Sequence, residues 1–384
     1  MAIKIDIEKA YDRDNWDFLI SYLEEINLPT KLIEVIRHCV RSSRMQILWE
    51  RSKMEEFRSA RGIRQGDSLS PYLFVLCIEK LAHLIQAEIV KGTWRPIRLN
   101  KGSPLLSHLF FTDDLVQVIR QCLDCFCAMS RQKVSHSKTR VFFSRNMNHN
   151  RAQQLSDLLE FNRTADLGKY LGVLLHHNHV TKNTHQFVVD KIKQRLSSWK
   201  VTSISFAGRA TLTKSVLSTI PLYCMQTAHL PVSTCEENDK CSHGFLWGST
   251  GERKKIHLVA WDEVCRPKRN GGLGLRHTHL QNKAFMMKAG WGFIHNKEAL
   301  WARVIISKYK CGRELIPQVN RTHPGSQFWK GLRNNWEKVQ VGVEFTTNQV
   351  NEVVVRWKLE KPGMFTVRSA YEFLTDSYAC PDQM

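Results

Sequence analysis

Two adjacent carboxylates, Asp113 and Asp114, could hold a divalent cation, because hard cations take carboxylate oxygens as ligands. They lie between the apolar runs Leu109–Phe111 and Leu115–Ile119, a pattern that predicts a strand, a tight turn and a second strand. Asp is also favoured in ordinary turns, because its side chain hydrogen-bonds its own backbone. The pair is therefore either a plain hairpin turn or a pair of metal ligands, and other parts of the sequence must decide.

A third carboxylate, Asp6, lies in the alternating segment Ala2–Ile7. Every second residue of that segment is isoleucine, which predicts a strand with one buried face. Asp6 falls on the opposite face, so its side chain points either into a cleft or into solvent at a sheet edge.

A basic, glycine-broken loop spans Ala60–Ser70 and contains Arg64, Gln65 and Gly66. Ser70 and Pro71 then predict a helix start, with serine as the N-cap and proline in the first turn. A helix that follows such a loop can approach a phosphate or a base pair closely. A simple connecting loop is the alternative interpretation.

The elements between these residues follow from their apolar spacing. We predict a turn at Tyr11–Asp14, two amphipathic helices before the loop, and a short helix at Gln121–Ser130. That short helix carries three cysteines, but no second Cys/His pair stands at zinc-finger spacing. An extended basic segment follows at Lys133–Ser144, with Lys138 in its middle.

The composition points to a polyanionic partner. The 384 residues include 56 Lys and Arg against 36 Asp and Glu, a net charge of +20, which favours nucleic acid over an unpartnered basic surface. The 11 cysteines form no repeating framework, as expected for reduced thiols in a nuclear or cytoplasmic protein. The acidic N-terminus does not predict a secretion signal, and no apolar run is long enough for a membrane span.

Five stretches, taken in order, resemble the reverse transcriptases of plant LINE-type (non-LTR) retrotransposons. They are KIDIEKAYDRDNWDFL at 4–19, RGIRQGDSLSPYLFVLCIEKL at 61–81, SHLFFTDD at 107–114, SRQKVSHSKTRVFFSRN at 130–146 and KYLGVLL at 169–175. The stretches IHLVAWDEVCRPKRNGGLGLR and GMFTVRSAYEFL resemble the C-terminal region of the same elements.

The resemblance implies RNA-directed DNA synthesis by two-metal phosphoryl transfer. Asp6 and Asp113 would bind two Mg²⁺ or Mn²⁺ ions, with Asp114 assisting. Lys138 matches a lysine that is a candidate proton donor to pyrophosphate, although an ordinary surface lysine is the alternative.

The same resemblance implies a nucleotide and template site. Tyr11 matches the position that excludes a 2′-hydroxyl, and Arg64, Gln65 and Gly66 match the loop beside the incoming nucleotide and the template. The implied partners are an RNA template and a DNA primer.

The sequence also departs from the family pattern. It begins at the first motif, without upstream fingers or endonuclease, and the segment after Asp114 is shorter than usual. Ser68, Thr112 and Arg131 stand where the family has proline, alanine and glycine. The C-terminal zinc-binding region is only begun, so we expect no complete zinc site. The chain is either a degenerate polymerase or a non-catalytic nucleic-acid-binding relic of the same fold.

We predict an α+β fold with a palm-like antiparallel sheet and packed helices. The predicted regions are a reverse transcriptase palm-like domain at 1–175, a helical thumb-like segment at 176–230, a C-terminal helical region at 231–344 and the start of the zinc-binding region at 345–384.

Overall fold

A computed structural model describes most of the chain. The described residues are 1–93, 96, 103–104, 115–144, 147–170, 173–175, 182–199, 201–250, 254–312, 314–320, 325–347 and 353–379. The chain forms two compact units, one of Met1–Lys101 with Leu105–Tyr170 and one of Gly102–Pro104 with Leu171–Met384. Helices predominate over short strands, which confirms the α+β class. The four predicted domain boundaries stay predictions.

The N-terminal unit alternates short strands with amphipathic helices. Its elements are β1 (Ala2–Lys4), α1 (Ala10–Arg13), α2 (Trp16–Glu25), α3 (Thr30–Arg41), β2 (Arg44–Met45), β3 (Leu48–Trp49), β4 (Ser52–Lys53), β5 (Phe57–Arg58), α4 (Ser70–Val90), α5 (Leu115–Ser130), β6 (Arg140–Phe142), α6 (His149–Leu159), β7 (Asn162–Thr164) and β8 (Lys169–Tyr170).

The main sheet of this unit has the strand order β1-β6-β7. Strand β1 runs antiparallel to β6, with Ile3 opposite Val141, whereas β6 and β7 are parallel. The observed strand β1 is shorter than the strand predicted over 2–7, but Ile7 continues the antiparallel pairing through one bridge to Val134. Ile3 and Ile5 are partly buried and pack on the core of this unit, which confirms the predicted face for two of its three isoleucines.

The predicted second strand at Leu115–Ile119 is wrong, because these residues begin helix α5. Val116, Ile119, Leu123 and Phe126 recur at three- and four-residue spacing and are all buried. A stripe of that period requires a helix, since a strand would turn alternate residues to solvent. Asp113 and Asp114, together with the predicted first strand at Leu109–Phe111, lie outside the described residues.

Two local predictions also need correction. The predicted turn at 11–14 is the short helix α1, and Ser70 is the first residue of α4 instead of its N-cap. The Asp67 carboxylate accepts a hydrogen bond from the Leu69 backbone N–H at 2.9 Å, so the turn before α4 is stabilised from within the loop. Pro71 lies in the first turn of α4, as predicted.

The second unit is mainly helical. Its elements are β9 (Val173–Leu174), α7 (Gln186–Ser197), α8 (Phe206–Ser215), α9 (Leu222–Met225), α10 (Val232–Leu246), α11 (Trp261–Cys265), α12 (Thr278–His295), α13 (Leu300–Tyr309), α14 (Gln327–Val341), β10 (Val343–Thr347), β11 (Val353–Trp357) and α15 (Val367–Ala379). Its largest core contains the fully buried side chains of Phe293, Trp329 and Trp357. Within the described ranges, no helix has the length and apolar character that crossing a membrane requires.

Candidate active site

A cleft of about 1100 Å³ in the N-terminal unit brings together residues from three separate segments. Helix α1 contributes Tyr11, the glycine-broken loop contributes Arg64 and Gln65, and Arg131 follows helix α5. Three of the four residues predicted to bind nucleotide or template therefore line one cavity. Gly66, the fourth, is the next residue of the same loop.

Backbone hydrogen bonds dock the loop against α1. The N–H of Gly62 donates to the Asp14 carbonyl at 2.8 Å, and the N–H of Ile63 donates to the Tyr11 carbonyl at 2.7 Å. The Trp16 indole Nε1–H donates to the Gly62 carbonyl, also at 2.7 Å. These bonds hold the loop beside Tyr11.

Gly62 is required where the loop touches α1. Its φ of +86° lies in the left-handed region that glycine favours, and a Cβ atom there would lie 2.9 Å from the Tyr11 carbonyl oxygen. Gly66 has a similar φ of +89°, but a Cβ at that position would meet no atom within 4 Å. The first glycine therefore permits close backbone approach, and the second permits only the turn.

The Tyr11 ring is fixed against the first turns of α4. It stacks on Phe74 with ring centroids 5.2 Å apart and an angle of 20° between the planes. Such offset stacking adds to the packing energy of two aromatic rings. The position of Tyr11 in the cleft is thus set by α4 as well as by the loop.

Three arginines and three aspartates line the cleft. Asp17 is paired with Arg41 at 2.5 Å, and the Asp67 carboxylate is bonded to the Leu69 N–H, whereas Asp12 is exposed. The described part of the chain contains no ion-pair partner for the guanidinium groups of Arg61, Arg64 and Arg131. These cations are available to an anionic ligand.

A buried polar cluster beneath the cleft was not predicted. Asp14 is 0% exposed, and its carboxylate accepts a hydrogen bond from the Gln132 amide, which also donates to the Ala10 carbonyl at 3.0 Å. Burial raises the pKa of Asp14 to about 6, against smaller opposing effects of Gln132 and the Cys77 thiol. The sequence alone does not distinguish Asp14 from an ordinary turn residue. Its hydrogen-bond partner, Gln132, lies 118 positions away along the chain.

Asp6 and Lys138 lie in two segments that are bonded to each other. The Asp6 N–H donates to the buried Thr139 hydroxyl at 3.1 Å, and the Ser135 N–H donates to the Asp6 carbonyl at 2.7 Å. Lys138 is exposed on the turn between Ser135 and Thr139. The structure thus brings the backbone of Asp6 beside the turn that carries Lys138.

The Asp6 side chain suits a hard cation. It is partly buried, and no hydrogen bond or ion pair to its carboxylate occurs within the described ranges. A carboxylate with free oxygens is the donor that Mg²⁺ or Mn²⁺ takes. The other two predicted ligands, Asp113 and Asp114, fall outside those ranges.

The family of this region follows from comparison with known proteins. Residues 1–175 match the family described as Reverse transcriptase (RNA-dependent DNA polymerase). They form a reverse transcriptase domain. The described part of this domain contains the arginine-lined cleft, the Asp6 segment and the turn that carries Lys138.

The relatives of the chain include plant and retrotransposon proteins. A "Putative ribonuclease H protein" of Arabidopsis thaliana is 41% identical over 160 residues, which cover 40% of this chain and 26% of that protein. An uncharacterized mitochondrial protein of Arabidopsis thaliana is 28% identical over 125 residues, 32% of this chain and 80% of that protein.

A retrovirus-related Pol polyprotein from a type-2 retrotransposable element of Drosophila melanogaster is 27% identical over 112 residues, 29% of this chain and 10% of that protein. The chain thus spans about a quarter of the first of these relatives and a tenth of the third. The resemblance to reverse transcriptases of plant non-LTR elements is confirmed.

Proposed function

We propose that the reverse transcriptase domain synthesises DNA on an RNA template, as a non-LTR retrotransposon polymerase does. The observation that supports this most is the cleft, in which Tyr11, Arg64 and Gln65 meet beside Arg61 and Arg131, whose guanidinium groups have no ion-pair partner among the described residues. Polymerisation needs a site that accepts a triphosphate and a base pair together. Cations and a loop docked on a rigid helix supply such a site.

The residues of the cleft have distinct proposed roles. Arg64 binds the incoming triphosphate, because an unpaired guanidinium suits phosphate oxygens. Gln65 and Gly66 lie beside the nascent base pair, where the positive φ of Gly66 forms the turn that presents Gln65. The Tyr11 ring, held by Phe74, lies against the sugar and excludes a 2′-hydroxyl.

Asp6, Asp113 and Asp114 would hold two divalent ions, Mg²⁺ or Mn²⁺. When bound, such ions lower the charge of the attacking and leaving oxygens of a phosphoryl transfer. Lys138 is proposed to donate a proton to the pyrophosphate leaving group, since its ammonium has no ion-pair partner in the described part of the chain. We place the protein in the nucleus or the cytoplasm, where template RNA and primer DNA are available.

A second candidate function is nucleic-acid binding without catalysis. The observation that favours it is helix α5, which begins at Leu115 and replaces the strand predicted after Asp114. A polymerase hairpin needs that strand to fix its carboxylates toward Asp6. Without it, the cleft and the net charge of +20 would still bind RNA or DNA.

Primer extension on an RNA template, with Mg²⁺ and separately with Mn²⁺, tests the proposal. We expect the parent chain to extend the primer and the Asp113→Ala variant to fail while it still binds the template. Asp124→Ala is the matched control, because Asp124 is an exposed carboxylate on α5. Equal extension by Asp113→Ala would contradict the role of Asp113. Template binding without extension by the folded parent would favour the second function.

A further inference from the structure

We propose that Asp239, His277 and His279 form a binding site for Zn²⁺ or a similar transition-metal ion in the C-terminal unit. One ligand atom from each of these three side chains lies within 4.8 Å of the other two. The site is independent of the polymerase proposal, because all three residues lie beyond the reverse transcriptase match at 1–175.

Two helices carry the three residues. Asp239 lies on α10, His277 immediately precedes α12, and His279 is in the first turn of α12. His277 is 8% exposed, and its side chain is enclosed between these helices and α11. A bound ion would tie α10 to the start of α12.

The Asp239 carboxylate is already oriented for such an ion. Its Oδ1 accepts hydrogen bonds from the Thr278 N–H at 3.1 Å and from the Thr278 hydroxyl at 2.5 Å. Its Oδ2 lies 3.7 Å from Nδ1 of His277, on the side where the imidazoles gather. The Thr278 N–H also donates to Oδ2 at 3.3 Å, so Thr278 holds the whole carboxylate with Oδ2 beside His277.

His277 has a second carboxylate at its opposite nitrogen. Nε2 of His277 lies 3.4 Å from Oδ1 of Asp262. If Nδ1 binds the ion, Nε2–H donates to Asp262, the arrangement in which an outer carboxylate sets the tautomer of a metal-binding histidine. This pairing distinguishes the cluster from two histidines that are merely adjacent in sequence.

The ligand set selects the class of ion. One carboxylate and two imidazoles suit Zn²⁺, whereas Mg²⁺ and Ca²⁺ prefer oxygen ligands alone. Tetrahedral bonds of roughly 2.0–2.2 Å place ligand atoms about 3.4 Å apart. The longest distance between the three ligand atoms must therefore shorten by about 1 Å when the ion binds. The three side chains line a cleft of about 610 Å³ together with His229, Lys283 and Asn334, so a water from the cleft would supply the fourth ligand.

The competing explanation is a helix cap without metal. In that arrangement the Asp239 carboxylate, which accepts from the Thr278 N–H, would stabilise the N-terminus of α12, and the histidines would bind no ion. That arrangement predicts no specific affinity for Zn²⁺, so metal binding separates the two explanations.

The test is a Zn²⁺ titration of the full chain against a chromophoric chelator, with excess Mg²⁺ to occupy oxygen-only sites. We expect one Zn²⁺ equivalent that is lost in both Asp239→Asn and His279→Ala. Asn at 239 retains an oxygen for the Thr278 N–H, so the helix cap and the fold are kept, which circular dichroism checks. For Asp262→Asn we expect binding weaker by roughly 10- to 100-fold.

The control is His257→Ala, because the exposed His257 packs on His243 with ring centroids 4.1 Å apart but lies outside the cluster. This control should bind Zn²⁺ as the parent does. Loss of the ion in His257→Ala instead of His279→Ala would overturn the proposal. So would an ion that both cluster variants retain and that thiol alkylation removes, since the 11 cysteines would then be its ligands.

Discussion

At the scale of single residues, Arg131 places a positive charge in the cleft but adopts an unfavourable backbone conformation. Its guanidinium lines the cleft, but its φ of +56° lies in the left-handed region. The family resemblance implies glycine at this position, and glycine adopts this conformation without the Cβ clash. The residue therefore adds a cation at a cost in stability.

We predict that Arg131→Gly is more stable than Arg131→Ala by about 1 kcal/mol. Both variants lose the charge equally, but only glycine relieves the backbone strain. Chemical denaturation of the two variants measures the difference in the free energy of unfolding. Equal stabilities would show that φ at this position does not strain the chain.

The buried Asp14 carboxyl makes the N-terminal unit sensitive to pH. Its pKa is raised from 3.8 to about 6, so the folded state holds the proton more tightly than the unfolded state. The stability contributed by the protonated form is complete below about pH 4 and is lost as the pH rises through 6. This rise in the pKa of Asp14 corresponds to ~3 kcal/mol of unfolding free energy.

The Asp14→Asn variant should not show this loss, because an amide does not ionise. We expect it to match the parent near pH 4 and to exceed its unfolding free energy by up to ~3 kcal/mol above pH 7. Hydrogen exchange of the N-terminal unit at several pH values measures both, with the exposed Asp12→Asn as control. Parallel pH curves for parent and Asp14→Asn would disprove the assignment.

At the scale of elements, the loop and helix α1 are joined through backbone contacts that admit no side chain. A Cβ atom at Gly62 would clash with the Tyr11 carbonyl, whereas a Cβ atom at Gly66 would meet no other atom. The two glycines have nearly the same φ, so they form a matched pair for separating backbone strain from contact.

We predict that Gly66→Ala costs about 1–2 kcal/mol of stability from strain alone. Gly62→Ala should cost more, because its Cβ meets backbone oxygens of α1 that cannot move aside singly. It should also weaken nucleotide binding more than Gly66→Ala, since the docked loop carries Arg64 and Gln65. Thermal unfolding and nucleotide titration check both effects, and equal losses would argue against the contact.

At the scale of the whole molecule, the net charge of +20 predicts binding to nucleic acid through phosphates. Charge alone does not locate the binding surface. We infer that it includes the cleft, because the guanidinium groups of Arg61, Arg64 and Arg131 have no carboxylate partner among the described residues and can replace counterions on a phosphate chain.

We predict that the logarithm of affinity for single-stranded RNA falls linearly with the logarithm of salt concentration. Arg64→Ala should make the slope shallower by about 0.7, the value expected for one phosphate contact on a single strand. Arg58→Ala is the control, because Arg58 is exposed on β5 and does not line the cleft. Identical slopes for both variants would place the contacts elsewhere. Fluorescence anisotropy at four or more salt concentrations provides the data.

Features that depend on neighbours along the chain follow from the amino-acid sequence alone. Apolar spacing gave the isoleucine face at Ile3 and Ile5, proline and glycine marked the loop before α4, and the order of motifs indicated the reverse transcriptase family, as the match at 1–175 confirms. These signals are local, because period and turn chemistry act over a few residues.

Features that depend on partners far away in the sequence follow only from the folded chain. The Leu115–Ile119 run by itself is apolar enough for a strand or a helix, and the burial of Val116 and Ile119 on one face with Leu123 and Phe126 distinguishes the helix. Asp14 becomes a buried acid only through Gln132, and Asp239 meets His277 only because α10 packs beside α12. Burial and long-range contacts change the pKa of a side chain and its capacity to bind a ligand. The residues next to it in the sequence do not specify either of them.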